Sequence, residues 1–290
     1  MDTHLDRLCL SPNKNIEPIN FALPPLSCDC HSHVIGPEKK FPFVENRSYT
    51  PPPASLEDYV ALHKALGIER AVIVQPSVHG TDNRVTLDAI ARYGKNARGV
   101  AVVEPTITNS EIENLHRGGI RGVRLNLLFK GGVGLETMEL LSEKISPYGW
   151  HIQLLIDVQT LTELSPRIRA LPTPVVIDHI GHMATEHGVV HPGFQELVRL
   201  TAEGKCWVKL SGNYRISSAG FPFVDAIPFA TALVAANPDQ LVWGTDWPHP
   251  ALYEYMPNDG GLLNALEDYA PEASVRKKIL VDNPAKLYNF

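Results

Sequence analysis

His31 and His33 stand two residues apart in the run SCDCHSH (27–33). Alternate residues of a strand share a face, so Asp29, His31 and His33 are expected on one side and Cys28, Cys30 and Ser32 on the other. Two imidazoles on one face suit a shared ion or a shared substrate, although strand histidines can also simply hydrogen-bond in a polar layer. The pair becomes specific through partners: His179 in VVIDHIGH and Asp246 in VWGTDWPHP. Asp246 lies between Trp243 and Trp247 in an apolar run, where an unpaired carboxylate is costly. A partner cation or a catalytic proton would account for it, and shielding by aromatics suits a general base toward water.

Cations accompany these groups. Arg124 sits inside the apolar run GVRLNL, and a buried guanidinium demands an anion. With Arg215 and Lys130 it could form a cationic rim for an acidic substrate. The stretch Ser77 to Asn83, with His79 and Thr81, reads either as a substrate-contacting loop or as helix capping by Thr81 or Asp82.

Such residues need a frame that brings distant segments together. Eight short apolar, β-branched runs recur: 27–33, 71–76, 98–103, 122–127, 151–157, 175–180, 206–212 and 241–247. Between most of them lie helical patterns with stop signals, such as Ser55-Leu56-Glu57-Asp58 with Gly67, and Asn109-Ser110 with Gly118-Gly119. Strand-helix alternation implies parallel pairing, and eight repeats fit a closed (β/α)₈ barrel. A doubly wound open sheet would bring a glycine-rich loop after its first strand, where this chain has His-Ser-His. In a barrel the reactive groups belong at the C-terminal strand ends, where the histidines, Arg124, Asn126 and Asp246 fall.

A chain of 290 residues, 44% hydrophobic and 20% charged, can bury one large core. We read residues 1–26 as an N-terminal arm and 27–290 as one barrel domain. The net charge of −6 gives no basic surface for nucleic acid or anionic membrane. No run reaches the length of a membrane span, and the N-terminus lacks a signal-peptide core, so the expected location is cytoplasmic. Cys9, Cys28, Cys30 and Cys206 are too few for a disulfide scaffold. The oligomeric state is not encoded in any feature of this kind.

The motifs DCHSHVIGP, FPF with Tyr49 and Pro51, VQPSVHGTDN, GGIRGVRLN, VVIDHIGH, VWGTDWPHP and NPAKLY occur in order from Cys28 to Tyr288. Together they closely resemble the 2-pyrone-4,6-dicarboxylate lactonases and sulfomuconolactone hydrolases of the amidohydrolase superfamily. The resemblance implies hydrolysis of an anionic lactone in aromatic-compound degradation. Asp246 would be the base, His31, His33 and His179 would surround the carbonyl, and Arg124, Arg215, Ser77 and Tyr49 would hold the acidic groups. Two positions depart from the lactonase pattern, Lys130 for an arginine and Leu155 for a tyrosine.

A two-metal site of this superfamily needs a lysine at the end of strand four and a histidine at the end of strand five. Here strand four offers Arg124 and Asn126, and His151 begins strand five. One divalent ion, zinc by preference, held by His31, His33, His179 and Asp246 remains open, as does no metal at all. A metal-dependent decarboxylase or hydratase of an acidic metabolite is the alternative activity. A non-catalytic metabolite sensor is a third reading, disfavoured because a sensor needs no general base.

Overall fold

A computed structural model describes residues 7–290. Strands and helices alternate as β1 (Cys28–Ser32), α1 (Leu56–Leu66), β2 (Arg70–Val74), α2 (Arg84–Tyr93), β3 (Ala97–Ala101), α3 (Asn109–Arg117), β4 (Ile120–Asn126), α4 (Met138–Ile145), β5 (His151–Leu155), α5 (Leu161–Ala170), β6 (Val175–Ile177), α6 (Pro192–Ala202) and β7 (Cys206–Leu210). Two helices, α7 (Asn213–Ile216) and α8 (Ile227–Ala236), precede β8 (Leu241–Trp243); α9 (Asp259–Tyr269), α10 (Ala273–Lys277) and α11 (Asn283–Tyr288) complete the chain. Each of the eight apolar runs overlaps a strand, and neighbours pair in sequence order, all parallel. The circle closes just beyond β8: Asp246 N donates to His31 O at 2.8 Å and His33 N to Trp247 O at 2.7 Å. The fold is the expected (β/α)₈ barrel.

Local signals explain the helix bounds. The Ser55 side chain accepts from Asp58 N at the start of α1, and Gly67 ends it with φ 80°, a conformation glycine adopts without strain. At α3 the cap is Thr108, in a reciprocal capping box with Glu111, so Asn109 is the first helical residue rather than the cap. Asp82 accepts from Arg84 N at the head of α2; Thr81 does not serve there.

Strand alternation sorts side chains into two layers. Ala71, Ile73, Leu154 and Ile177 join the helices in the outer core. Val72, Val74, Val176 and Trp207 fill the barrel interior, floored by Leu287 and Tyr288 of α11. Asn283 anchors that last helix by donating to Pro238 O and Leu241 O at 2.8 and 2.7 Å.

β1 breaks the alternation expected of it. Asp29 pairs with Ala71 but Ser32 with Ile73, so three steps on β1 span two on β2, a bulge. Cys30 joins the interior cluster, and His31 also faces inward, against Lys209. Asp29 turns outward to Tyr59 and His63 of α1. The expected face shared by Asp29, His31 and His33 is thereby corrected. Cys28 and Cys30 lie in the interior, while Asp29 lies on the helix side.

Residues of the arm pack onto loops of the barrel. Cys9 N donates to Thr50 O, Leu10 N to Leu252 O and Glu17 N to Asn258 Oδ1. Among the described residues, no helix is long and apolar enough to cross a membrane.

Candidate active site

Asp29 fixes the entry to the site from behind. Its Oδ1 accepts from His31 N at 3.1 Å and Thr245 N at 2.9 Å, and its Oδ2 accepts from Thr245 Oγ1 at 2.6 Å and Tyr59 OH at 3.0 Å. Burial works to raise this carboxyl, but His63 and the Thr245 donors hold it below its usual value. The same carboxylate therefore sets the backbone that carries His31 and the backbone that carries Asp246. His179 and Asp246 lie two and three residues beyond their strands, on backbone with φ of 52° and 66°. Non-glycine residues held there store strain of about 1–3 kcal/mol each, which clusters characteristically at functional sites.

His31, His33 and Asp246 converge at the mouth. The two Nε2 atoms are 3.3 Å apart, and each lies 3.6 Å from Asp246 Oδ1. Nδ1 of His33 meets Val74 O at 2.8 Å and must donate, which leaves its Nε2 as a lone pair. Asp246 Oδ1 is buried without a hydrogen bond. Its other oxygen is held by Arg215 Nε at 2.5 Å and the Tyr214 hydroxyl at 2.6 Å. His179 Nε2 approaches that oxygen at 3.8 Å, and its Nδ1 meets Ser211 Oγ at 3.0 Å. Gly244 lets β8 lie against β1, since a Cβ there would fall 2.6 Å from His31 N.

These distances bear on a metal. Tetrahedral ligands with bonds of 2.0–2.1 Å are about 3.3–3.4 Å apart, close to the spacing of the three converging atoms. An orphaned carboxylate oxygen facing two imidazole nitrogens fits one divalent ion. A second candidate group, His31, Asp178 and His179, shares His31 with the first.

Beneath the mouth lies a buried charged layer that the sequence reading missed. Asp178 Oδ2 takes Arg124 Nε and Nη2 at 3.2 and 3.1 Å and Gln153 Nε2 at 3.0 Å. Its Oδ1 lies 3.3 Å from His31 Nδ1 and 3.5 Å from Lys209 Nζ. Lys209 donates to Gln153 Oε1 at 2.8 Å and lies 3.1 Å from His31 Nδ1. The anion that buried Arg124 demands is thus Asp178, supplied by the protein. Lys209 carried the same signal as Arg124, a cation inside an apolar run, CWVKLSG.

Burial and neighbouring charge set the protonation states. Burial and the Lys209 charge push His31 down to about 3, and burial lowers His33 and His179. These imidazoles are neutral at pH 7. Burial would raise Asp246, but Arg215 and His179 hold it well below the usual carboxylate range. Asp178 is held low in the same way, against its burial, by His31, Lys209 and Arg124. The expected aromatic shielding of Asp246 is corrected, since Trp247 stacks on Tyr59 and both tryptophans belong to the outer core.

Other predicted residues spread over the rim. Tyr49 is buried, its hydroxyl raised to about 12 by burial, and accepts from Ser77 Oγ at 3.4 Å. His79 Nδ1 meets Pro42 O, and its Nε2 is buried without a partner. Lys130 is exposed on the loop after β4, its backbone N bonded to Ser48 Oγ. Thr81 lies in an outer groove of about 660 Å³ with Leu87 and Leu115, apart from the histidines. Cys9, Tyr49 and Val78, with Phe43, Phe129 and Tyr253, form an apolar cluster that joins the arm to loops after β1, β2, β4 and β8. His33, His179, Asp246 and Arg124 are 2%, 2%, 1% and 4% exposed.

Comparison with known proteins bears on the family and the fold. Residues 28–290 match the amidohydrolase family. A 4-sulfomuconolactone hydrolase of Rhizobium radiobacter is 41% identical over 285 residues, 97% of this chain and 95% of the relative. A 2-pyrone-4,6-dicarboxylate hydrolase of Comamonas testosteroni is 40% identical over 280 residues, 92% of each chain. An apo crystal structure from Agrobacterium tumefaciens superposes with a TM-score of 0.87 at 30% identity, over 94% of this chain and 99% of the other.

Proposed function

The chain belongs to the amidohydrolase family, and on that premise we propose that it hydrolyses the ring ester of a small anionic lactone, a carboxylated or sulfonated pyrone or muconolactone, in the degradation of aromatic compounds. The observation that carries the reading is Asp246 Oδ1, buried and without a hydrogen bond, facing the Nε2 atoms of His31 and His33. Relatives at 40–41% identity carry the names of two such lactone hydrolases.

In this reading the lactone carbonyl sits over His31, His33 and His179, with a water between it and Asp246. Oδ1 of Asp246 accepts a proton as the water oxygen bonds to the carbonyl carbon. The ring C–O bond then breaks, and Asp246 returns the proton to the departing oxygen, giving the open hydroxy acid or its enol. Arg215 and Tyr214 keep Oδ2 occupied, so the transfer uses one oxygen. His31, His33 and Asp246, with His179 beside them, would hold one divalent ion, zinc by its taste for nitrogen and carboxylate ligands. When bound, such an ion supplies Lewis-acid polarisation of the carbonyl.

The anionic preference rests on charge. Arg124 and Arg215, paired with Asp178 and Asp246, are the guanidiniums we take to meet a substrate carboxylate or sulfonate. Tyr49, Ser77, His79, Thr81 and Lys130 are our candidates for contacts to the acidic substituents, Thr81 by movement of its loop. We take the compartment to be the cytosol, where the four buried thiols stay reduced.

The test is a panel of carboxylated and sulfonated pyrones and muconolactones near pH 7, followed by loss of ring absorbance. Asp246→Asn should lower kcat by roughly 10²–10⁴ while the substrate still raises the variant's melting temperature. No ring opening by the wild type on any member overturns the reading. Release of carbon dioxide without ring opening would reassign the protein as a decarboxylase.

A further inference from the structure

A second chain of buried groups runs from Asp246 away from the mouth. Tyr214 OH lies 2.6 Å from Asp246 Oδ2, His249 Nδ1 lies 3.1 Å from Tyr214 OH, and His249 Nε2 lies 3.1 Å from Asp259 Oδ1. His249 and Asp259 are fully buried, on the loop after β8 and at the first turn of α9.

Proton counting fixes the direction of these bonds. Tyr214 has one hydroxyl proton and two claimants, Asp246 and His249. Two oxygens 2.6 Å apart without a proton between them would repel, and 2.5–2.7 Å is the ordinary range for a hydroxyl donating to a carboxylate. Asp246 is ionised beside Arg215, so Tyr214 donates to it. His249 Nδ1 must then donate to the Tyr214 oxygen. With Nδ1 protonated, the 3.1 Å contact between His249 Nε2 and Asp259 Oδ1 also requires a proton, shared by that pair. Asp259 Oδ2 is buried without a partner, which suits a carboxyl that keeps this proton better than a bare carboxylate. Burial pushes the Asp259 carboxyl up, in agreement.

We propose that His249, held by Asp259, is a positioning residue: it commits the Tyr214 proton to Oδ2 of Asp246 and so leaves Oδ1 as the one oxygen that faces His31 and His33. The proposal rests on the lactone-hydrolase reading for its kinetic consequence, but its donor direction stands independently. If Tyr214 turned its proton to His249, its lone pairs would face Oδ2, and the carboxylate would rotate away from the mouth.

The test combines kinetics with histidine nitrogen NMR on the full chain. Tyr214→Phe and His249→Leu should each lower kcat about 10- to 100-fold, the value of a hydrogen bond to a charged group, with KM moved less than about threefold. Asp259→Leu should fall similarly. Asp259→Asn, whose amide can donate to His249 Nε2 in place of the carboxyl, should recover most of that loss. Equal losses in the Asn and Leu variants, or a kcat preserved in Tyr214→Phe, overturns the proposal. In the wild type the His249 Nδ1 resonance should be that of a protonated nitrogen. A bare Nδ1 overturns the donor direction even if a variant fails to fold. Absence of any lactone turnover by the wild type, with Nδ1 protonated, would instead refute the functional reading and leave the hydrogen-bond chain as derived.

Discussion

Replacing Asp178 by Asn tests whether the barrel interior is held by charge balance. Asp178 is fully buried and meets Arg124 at 3.1 Å and Lys209 at 3.5 Å. Asparagine keeps the shape but removes the carboxylate that faces both cations. Removing one partner from a buried pair costs about 3–5 kcal/mol, because the remaining charge is left uncompensated. The unfolding entropy of a chain of 290 residues is about 0.6 kcal/mol/K near the midpoint, so the melting temperature should fall by roughly 5–8 °C. Urea denaturation and calorimetry at pH 7 in chelator-treated buffer measure both quantities. Adding Lys209→Met to Asp178→Asn removes one stranded cation, and the double variant should be more stable than the sum of the single changes predicts. A loss below about 1 kcal/mol for Asp178→Asn, or strict additivity in the double variant, would show that the layer is not an ion network at all.

Two other perturbations probe the frame and its protonation. Gly244→Ala places a methyl 2.6 Å from His31 N and 2.7 Å from His31 Cβ; backbone cannot swing aside, so we expect about 1–3 kcal/mol of destabilisation and a larger proportional loss of kcat/KM, and wild-type kinetics would refute the close packing of β8 on β1. Burial lowers His31, His33, His151 and His179, so the unfolded chain takes up protons below about pH 6.5 while the folded chain does not. Stability is therefore complete above that value and lost as pH falls toward the folded values, about 3 for His31 and His151. Between pH 7.5 and 5.5 His31 and His151 alone should remove roughly 2–3 kcal/mol, with His33 and His179 acting in the same direction, read from urea midpoints, and a flat profile would mean that the imidazoles titrate in the fold as they do in the unfolded chain.

The barrel and its principal cluster were legible because both rest on local signals. Apolar runs mark strands wherever both faces are covered, and His31, His33, His179 and Asp246 occur where such runs end. The bulge in β1 was not legible: a period of two is the default, and nothing in CDCHS states that an extra residue will be absorbed between Asp29 and Ser32. Asp178 carries the same signal as Asp246, a carboxylate after an apolar run, VVI, whose desolvation demands a partner, but its partners Arg124 and Lys209 come from other strands. Tyr214, His249 and Asp259 lay out of reach for a different reason. Their meaning comes from contacts between α7, the loop after β8 and α9, and a tyrosine or histidine in a loop has no local pattern that foretells such partners. Arg124 shows a correct premise with an unforeseen answer, since its required anion proved to be part of the fold.

The apolar cluster that joins Cys9 and Tyr49 to Phe129 and Tyr253 changes how arrival at the site should be timed. With the reactive groups almost wholly covered, an incoming molecule cannot be captured at the rate of collision. Entry then requires some of that cover to part, so the encounter rate is set by the frequency of opening, and the pull of the inner cations acts only afterwards. A product carrying one more carboxylate than its parent meets the same barrier on leaving, and its residence time becomes a property of residues that never touch the bond being broken.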